Sequence, residues 1–555
     1  MNSVDALRPH QVTDSTAISD SKWLRTWTLV VSCASVTLVV ASMVALNTAL
    51  GDIAVTTSAS QTQLTWVVDG YTLVLACLLL PGGAIGDRFG RRGAMLAGLA
   101  IFSVASIAPL VFASPLPLIV ARAVAGSGAA LIMPATLSLL TAAYSLEDRT
   151  KAVGIWAGAA GSGGILGLLG SGALLHFWSW QSIFWALAAA GVVLFVLGCT
   201  VVPSRVKDAP PVDWPGAFLI GGAVALFVFG ILEAPSHGWT NPIVYGCIAA
   251  GVAFAALFGF VEIRRRQPLL DVRLFTDPAF AVGAATIVLF FAANFGFLYL
   301  LMQYLQLVQG YSPIGTALAI SPVMAGIIVL SGFSFWYLPK LGLRVVLVSG
   351  LALIAVGFLL LGHVDATSSY LDQVWRWLVL SVGIGLLTAP ATSAIMTAVP
   401  DNKQGVASAV NDAAREIGGA LGIAVAGSIL ATRYTDRLLP QLTAFPEPVR
   451  GPASDSLAQA LKISERLGPL GDRLAALSET AFIHAMQTAV LVIAVIVAIT
   501  TVLIGLWAPG RDGTQLRVIK RLRTSVRVCQ STRRENADNS ARSRQGESAH
   551  RLFPR

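Results

Sequence analysis

Ionised side chains are sparse in this chain, and several of them fall inside long apolar stretches. Asp69 sits in QLTWVVDGYTL, Arg122 in LIVARAVAGSGAALIMPAT, and Asp412, Arg415 and Glu416 in GVASAVNDAAREIGGALG. A charge placed in membrane hydrocarbon costs about 2.5 kcal/mol or more unless it is paired or hydrated, so each is a candidate for holding a proton, an ion or a polar substrate group. Each also has a structural alternative. Asp69 could solvate or cap the outer end of its helix, and Arg122 could be a buried hydrogen-bond hub joining helices. Asp412, Arg415 and Glu416 are three and four residues apart, hence on one helix face, where Asp412 can pair within a turn. Their place near one end of the segment favours a solvated, self-neutralising cluster. Phe295, Tyr299, Gln303 and Gln306 recur at four, four and three, a face of aromatics and amides that suits an amphipathic organic substrate. Packing between helices explains that face at least as well.

These residues need apolar elements to hold them. Of 555 residues, 55% are hydrophobic and 12% charged, with a mean hydropathy of +0.72, against about 25% charged in a soluble domain. A soluble enzyme is excluded. No HExxH, Walker loop or strand-borne GxGxxG is present, the five cysteines lack metal-ligand spacing, and His363 and His484 are isolated. Neither a catalytic residue, a metal nor a cofactor is therefore expected. The polar first twenty residues lack a cleavable signal pattern.

A spanning helix needs about 20 mostly apolar residues. Such runs lie near 28–50, 64–84, 93–113, 116–141, 152–175, 182–202, 215–234, 242–262, 279–308, 313–337, 345–363, 374–398, 405–431 and 481–507. The fourteen-helix count passes a charge test. Even-numbered connections hold Arg88, Arg91, Arg92, Arg149, Lys151, Arg205, Lys207, Arg264, Arg265, Arg266, Arg273, Lys340, Arg344 and Lys403, whereas the first five odd-numbered ones hold no Lys or Arg. Positive charge marks the cytoplasmic side, which puts both termini there. The basic tail at 508–555 follows a spanning helix and is poor in aromatics, so it reads as a disordered tail touching lipid and not as a nucleic-acid site. The exterior loop at 433–479 contains SLAQALKISERLGPLGDRLAALSE, whose periodicity predicts a short amphipathic helix pair.

An internal repeat groups the helices. DRFGRR at 87–92 is echoed by PKLGLR at 339–344, and Gly126, Gly128 and Pro134 by Gly383, Gly385 and Pro390, at offsets of 252 to 257. That offset spans eight helices. The predicted organisation is a tail at 1–27, a six-helix bundle at 28–202, two inserted helices with linkers at 203–278, a second six-helix bundle at 279–507 and the tail at 508–555. Parallel six-helix repeats with a site between them are a transporter architecture.

The most specific motif is GAIGDRFGRRG at 83–93. With it, QLTWVVDGYTL, LIVARAVAGSGAALIMPAT, the DWPG at 213–216, QGYSP at 309–313 and GVASAVNDAAREIGGALG, the chain resembles the major facilitator superfamily, in its fourteen-helix drug:proton antiporter branch. The resemblance covers about residues 28–507. It implies an all-α integral membrane protein with the major facilitator fold. It further implies that Gly83, Asp87, Arg88, Gly90, Arg91 and Arg92 form a cytoplasmic latch, and that Asp69, Arg122 and Asp412 take part in proton or substrate coupling. The proton gradient would then drive transport of a small amphipathic molecule by a monomer in the cell membrane.

Two departures bear on coupling. The branch commonly has an acid in its first helix, where this chain has Ser42. Its helix-5 motif reads Gly-Pro with a following Gly-Gly, where Gly163 and Gly167 lead to Leu168, Ser171 and Gly172. A uniporter, or an exporter of one endogenous lipid or metabolite, is the nearer rival to a drug exporter. A membrane-embedded enzyme or a receptor is the more distant one.

Overall fold

The computed structural model describes residues 22–510 other than positions 58, 60, 112, 113, 205–210, 266, 267, 401 and 402. The expected tails therefore lie almost wholly outside the described residues. Among those residues every regular element is helical, and fourteen helices are long and apolar enough to cross a membrane. They are α1 (Lys22–Ala45), α2 (Gln61–Phe89), α3 (Arg91–Val111), α4 (Pro115–Ala143), α5 (Leu146–Phe177), α6 (Gln181–Gly198) and α7 (Trp214–His237). The others are α8 (Pro242–Arg264), α9 (Pro278–Gln303), α10 (Pro313–Gly332), α11 (Leu343–Leu361), α12 (Tyr370–Thr397), α13 (Gln404–Leu438) and α14 (Pro469–Trp507).

Local chemistry explains many of the boundaries. Proline opens α4, α8, α9, α10 and α14, where its missing N–H costs nothing. Asp277 accepts from the amides of Ala279 and Phe280 to cap α9, and Asn241 and Ser312 cap α8 and α10 in the same way.

The predicted exterior helix pair forms only in part. Leu457–Ser464 is a separate short helix, but the second member is the start of α14 itself. At 39 residues, α14 is about 58 Å long, far more than the hydrocarbon thickness, so its first turns project beyond it. Tyr434 and Thr435 at the end of α13 tie this cap down by donating to the carbonyls of Ala453 and Ser454.

Packing repeats with the period seen in the sequence. In the first bundle α1 packs on α5 and α4, α2 on α4, and α3 on α4 and α6. Adding eight to each number gives the packing of the second bundle, α9 on α13 and α12, α10 on α12, and α11 on α12 and α14. The glycine echo keeps the helix pairs but exchanges roles. Gly126 meets α2 at Tyr71 and Gly128 meets α3 at Gly98, whereas Gly383 meets α11 at Gly350 and Gly385 meets α10 at Ile327. The bundles meet along α2 with α13, α4 with α13, and α5 with α10 and α12. The inserted α7 and α8 pack on each other, and α7 also touches both α2 and α13.

Small residues let these helices approach closely. A Cβ on Gly167 would lie 2.5 Å from the Ala41 carbonyl oxygen and 2.9 Å from Val44 of α1, whereas one on Gly170 would meet nothing within 4 Å. Gly167→Val is expected to lower stability by about 1–3 kcal/mol through overpacking, and Gly170→Val to leave it unchanged. Thermal unfolding of the detergent-purified variants checks this, and equal behaviour of the two would refute the packing assignment.

Candidate functional site

The α2–α3 loop lies on the face that also carries the other Lys- and Arg-rich connections, here called the basic face. Gly90 has φ of +109°, which lets the chain turn from α2 into α3 within one residue. The turn leaves Asp87 6% exposed and aimed at the second bundle. Its Oδ2 accepts from the amides of Gly405 (2.8 Å) and Val406 (3.2 Å) in the first turn of α13. A carboxylate there meets both orphan N–H groups and the positive end of the helix dipole. Its Oδ1 pairs with Arg91 at 3.1 Å, and Arg91 also donates to the Ser138 carbonyl of α4. Gly83 and Gly405 must lack side chains, since a Cβ on Gly83 would collide with the Gly405 carbonyl oxygen. Arg92 donates to the Val201 carbonyl beyond α6 at 2.9 Å. Arg88 is exposed at the surface. The latch residues thus join α2, α3, α4 and α13 into one polar seam between the bundles.

Arg122 is 1% exposed and acts as a hub. It donates to the Val67 carbonyl (3.1 Å), the Ser42 hydroxyl (2.9 Å) and the Ser42 carbonyl (3.1 Å), and its guanidinium lies 4.2 Å from the centre of the Tyr71 ring. Ser42, where the resemblance expects an acid, is instead a neutral acceptor. Tyr71, which the sequence did not single out, donates to the Val39 carbonyl and lies within electrostatic reach of Glu416 in the second bundle.

Asp69 is half-buried. It shares a stripe of α2 with Trp66, which stacks on Phe229 of α7 at 6.0 Å, and its acidic neighbour is Glu233 of α7. Glu233 was also missed, although an acid in an apolar run was the available signal. Among the described residues, no hydrogen bond or ion pair joins any two of Asp69, Arg122 and Asp412.

The expectation of a solvated cluster at Asp412 is overturned. Asp412 is 0% exposed, because the start of α13 is covered by the first bundle through α2 and α4. Its Oδ1 accepts from Asn411 at 3.2 Å and pairs with Arg415 at 3.7 Å, and Glu416 lies within electrostatic reach of both ionised groups. The Arg415 guanidinium sits 4.8 Å from the Phe291 ring of α9 and 5.7 Å from the Trp156 ring of α5.

The α5 glycine motif packs mostly inside the first bundle, with its last glycine facing the second. Gly163 meets Thr37 and Gly167 meets Ala41 of α1, Ser171 accepts from Thr48 at 2.9 Å, and Gly172 approaches Ile314 of α10. On α9, Phe295 and Tyr299 lie against Gly419 and Gly427 of α13, and Gln303 donates to the Tyr299 carbonyl. Gln306 does not continue that face. A π turn at Tyr304–Val308 breaks the 3.6-residue period on which the expectation rested, and Gln306 is exposed.

Two packed six-helix bundles, with ionised side chains held along the surface they share, define a membrane transporter fold. Among the described residues no group of three or more His, Cys, Asp or Glu is placed to hold a metal. The chain belongs to the Major Facilitator Superfamily, whose family model matches residues 30–423. It is 35% identical over 407 residues to the "Multidrug resistance protein Stp" of Mycobacterium tuberculosis, covering 73% of this chain and 76% of that one. It is 32% identical over 437 residues to the "Methyl viologen resistance protein SmvA" of Salmonella typhimurium, covering 76% and 86%. The fold is also similar to that of the human organic anion transporter MFSD10, with a TM-score of 0.57 at 13% identity over 85% of this chain and 99% of that one.

Arg88 and Lys403 line one small cleft beside Asp87 and Val406. In a cysteine-free background, Arg88→Cys with Lys403→Cys is expected to crosslink readily, and adding Asp87→Ala to suppress it, since losing one member of a buried pair costs about 3–5 kcal/mol. Undiminished crosslinking, read by gel shift, would show that Asp87 does not hold the seam.

Proposed function

We propose that this protein is a secondary active transporter that exports amphipathic organic compounds, drugs among them, across the cytoplasmic membrane in exchange for protons, by alternating access of the two bundles. The observation that carries this reading is the fully buried Asp412 with its half-buried neighbours Arg415 and Glu416, set against Trp156 of the other bundle. Titratable groups at a surface shared by two moving bodies can tie protonation to their relative position. The names of the relatives, given for multidrug and methyl viologen resistance, support the substrate class.

The distribution of Lys and Arg supports a cytoplasmic basic face with both termini on that side. On this orientation the Asp87 seam closes the cytoplasmic side and steadies the outward-open state. Asp69 and Asp412 would carry protons, Arg122 would fix the α1, α2 and α4 arrangement around them, and Phe295, Tyr299 and Gln303 would shape the wall near α13. The protein would work as a monomer in lipid, with no cofactor, on a small molecule and protons.

Export of one specific endogenous lipid or metabolite is the second reading. It is favoured by Ser42, which replaces the first-helix acid and satisfies Arg122 without a carboxylate. Expression in an efflux-deficient bacterial host should raise the inhibitory concentration of several amphipathic compounds at least about fourfold, a change of about 0.8 kcal/mol in effective partition, and a protonophore should abolish the gain. Asp412→Asn should express and fold but lose pH-gradient-driven efflux in vesicles. No protection against any compound would favour the second reading, and full efflux by Asp412→Asn would remove that residue from coupling.

A further inference from the structure

Arg122 is buried and Arg415 half-buried inside this fold, and they are held in opposite ways. Arg122 makes three hydrogen bonds to fixed acceptors on α1 and α2. Arg415 has one long ion pair, at 3.7 Å to Asp412, while its own Nε and the Asp412 Oδ2 are both buried without a hydrogen-bond partner. What surrounds Arg415 is better anchored than Arg415 itself. The Trp156 indole donates to the Thr136 hydroxyl of α4 at 3.2 Å, and Phe291 packs against Phe290 at 4.5 Å and Phe295 at 6.1 Å. Two ring faces, one fully buried carboxylate and a second acid one turn along at Glu416 form a cage for a cation. One bundle supplies Trp156 and the other supplies the rest.

We propose that the Arg415 guanidinium is a tethered occupant of this cage, and that a cationic aromatic substrate binds by displacing it. A cation entering the cage takes over the ring faces and the Asp412 carboxylate. The released guanidinium swings on its flexible stem, and the rings stay in place because their anchors do not involve it. An anionic substrate would gain the guanidinium but would be set against two carboxylates, so the cage selects cations. The inference rests on the drug-export reading for its biological meaning, but the cage is tested by binding alone.

The test is equilibrium binding to the full-length, detergent-purified protein of tetraphenylphosphonium, a permanent aromatic cation, and of triphenylphosphine oxide, a neutral relative. Arg415→Met and Arg415→Gln should each bind the cation about tenfold more tightly than the unsubstituted protein, the size of one to two cation–π contacts. Binding of the neutral probe should stay within about threefold. Arg415→Lys, which keeps a tethered cation, should remain close to the unsubstituted protein, and adding Phe291→Leu to Arg415→Met should remove the gain. Unchanged or weaker cation binding in both neutral variants overturns the proposal, as does an equal gain for the neutral probe. Loss of cooperative thermal unfolding in both would show Arg415 to be a structural strut, which also overturns it. A protein that shows the tenfold gain yet protects cells from no compound would leave the cage standing while the export reading falls.

Discussion

Hydrocarbon offers no partner to a polar group, so every charge inside this bundle has to be matched by the protein itself. That constraint organises the interior. Asp87 is matched by two amides at the start of α13 and by Arg91. Arg122 is matched by carbonyl dipoles, a hydroxyl and an aromatic face, with no carboxylate among its partners. Asp412 and Arg415 are matched more loosely, by a 3.7 Å ion pair, one amide of Asn411 and two ring faces. The first two arrangements spread several good contacts over several helices, and they tie the structure together. The third leaves polar atoms unsatisfied at the surface between the bundles, where a ligand or a proton gains most by supplying what is missing.

The repeat is imperfect where the imperfection has consequences. Gly90 and Gly342, at matching places in the two echoes, both adopt positive φ, +109° and +79°, so both bundles turn on the same device. Asp87, however, corresponds by the 252-residue offset to Pro339. The seam between α2 and α13 therefore carries a buried carboxylate. Its counterpart between α5 and α10 relies on Ser331, which donates to the Gly154 carbonyl at 3.3 Å. One seam holds a buried carboxylate, and the other a hydroxyl, with Lys151 over the Phe335 ring at its edge. The asymmetry gives two similar bundles a preferred place to stay joined.

Much of this was legible in the sequence, for identifiable reasons. Fourteen apolar runs and a one-sided distribution of Lys and Arg reflect the bilayer, which acts on each segment separately. The residues of the Asp87 loop could be singled out because they are contiguous. The state of Asp412 could not be read, because the start of α13 is covered by α2 and α4, which lie far away in the sequence. Nor could the role of Ser42, whose hydrogen bond to Arg122 spans 80 positions. The face expected to continue to Gln306 was lost for a local reason, one π turn, which a strict helical period cannot anticipate. Tyr71 and Trp156 passed unnoticed because an aromatic residue in an apolar helix looks like packing until its neighbours are known.

The inserted α7 touches both α2 and α13, one from each bundle. Any rotation of one bundle against the other has to shear one of these two contacts. Against α2, α7 presents the interlocked rings of Phe229 and Trp66. Against α13 it meets Ala420 and Ala424 together with the larger Ile417 and Leu421, and just beyond α7 the Trp239 indole donates to the Ser428 hydroxyl at 2.9 Å. A helix gripped on both sides resists sliding against either bundle. The insertion is a strap laid across two halves, and its hold on each limits how far they can part.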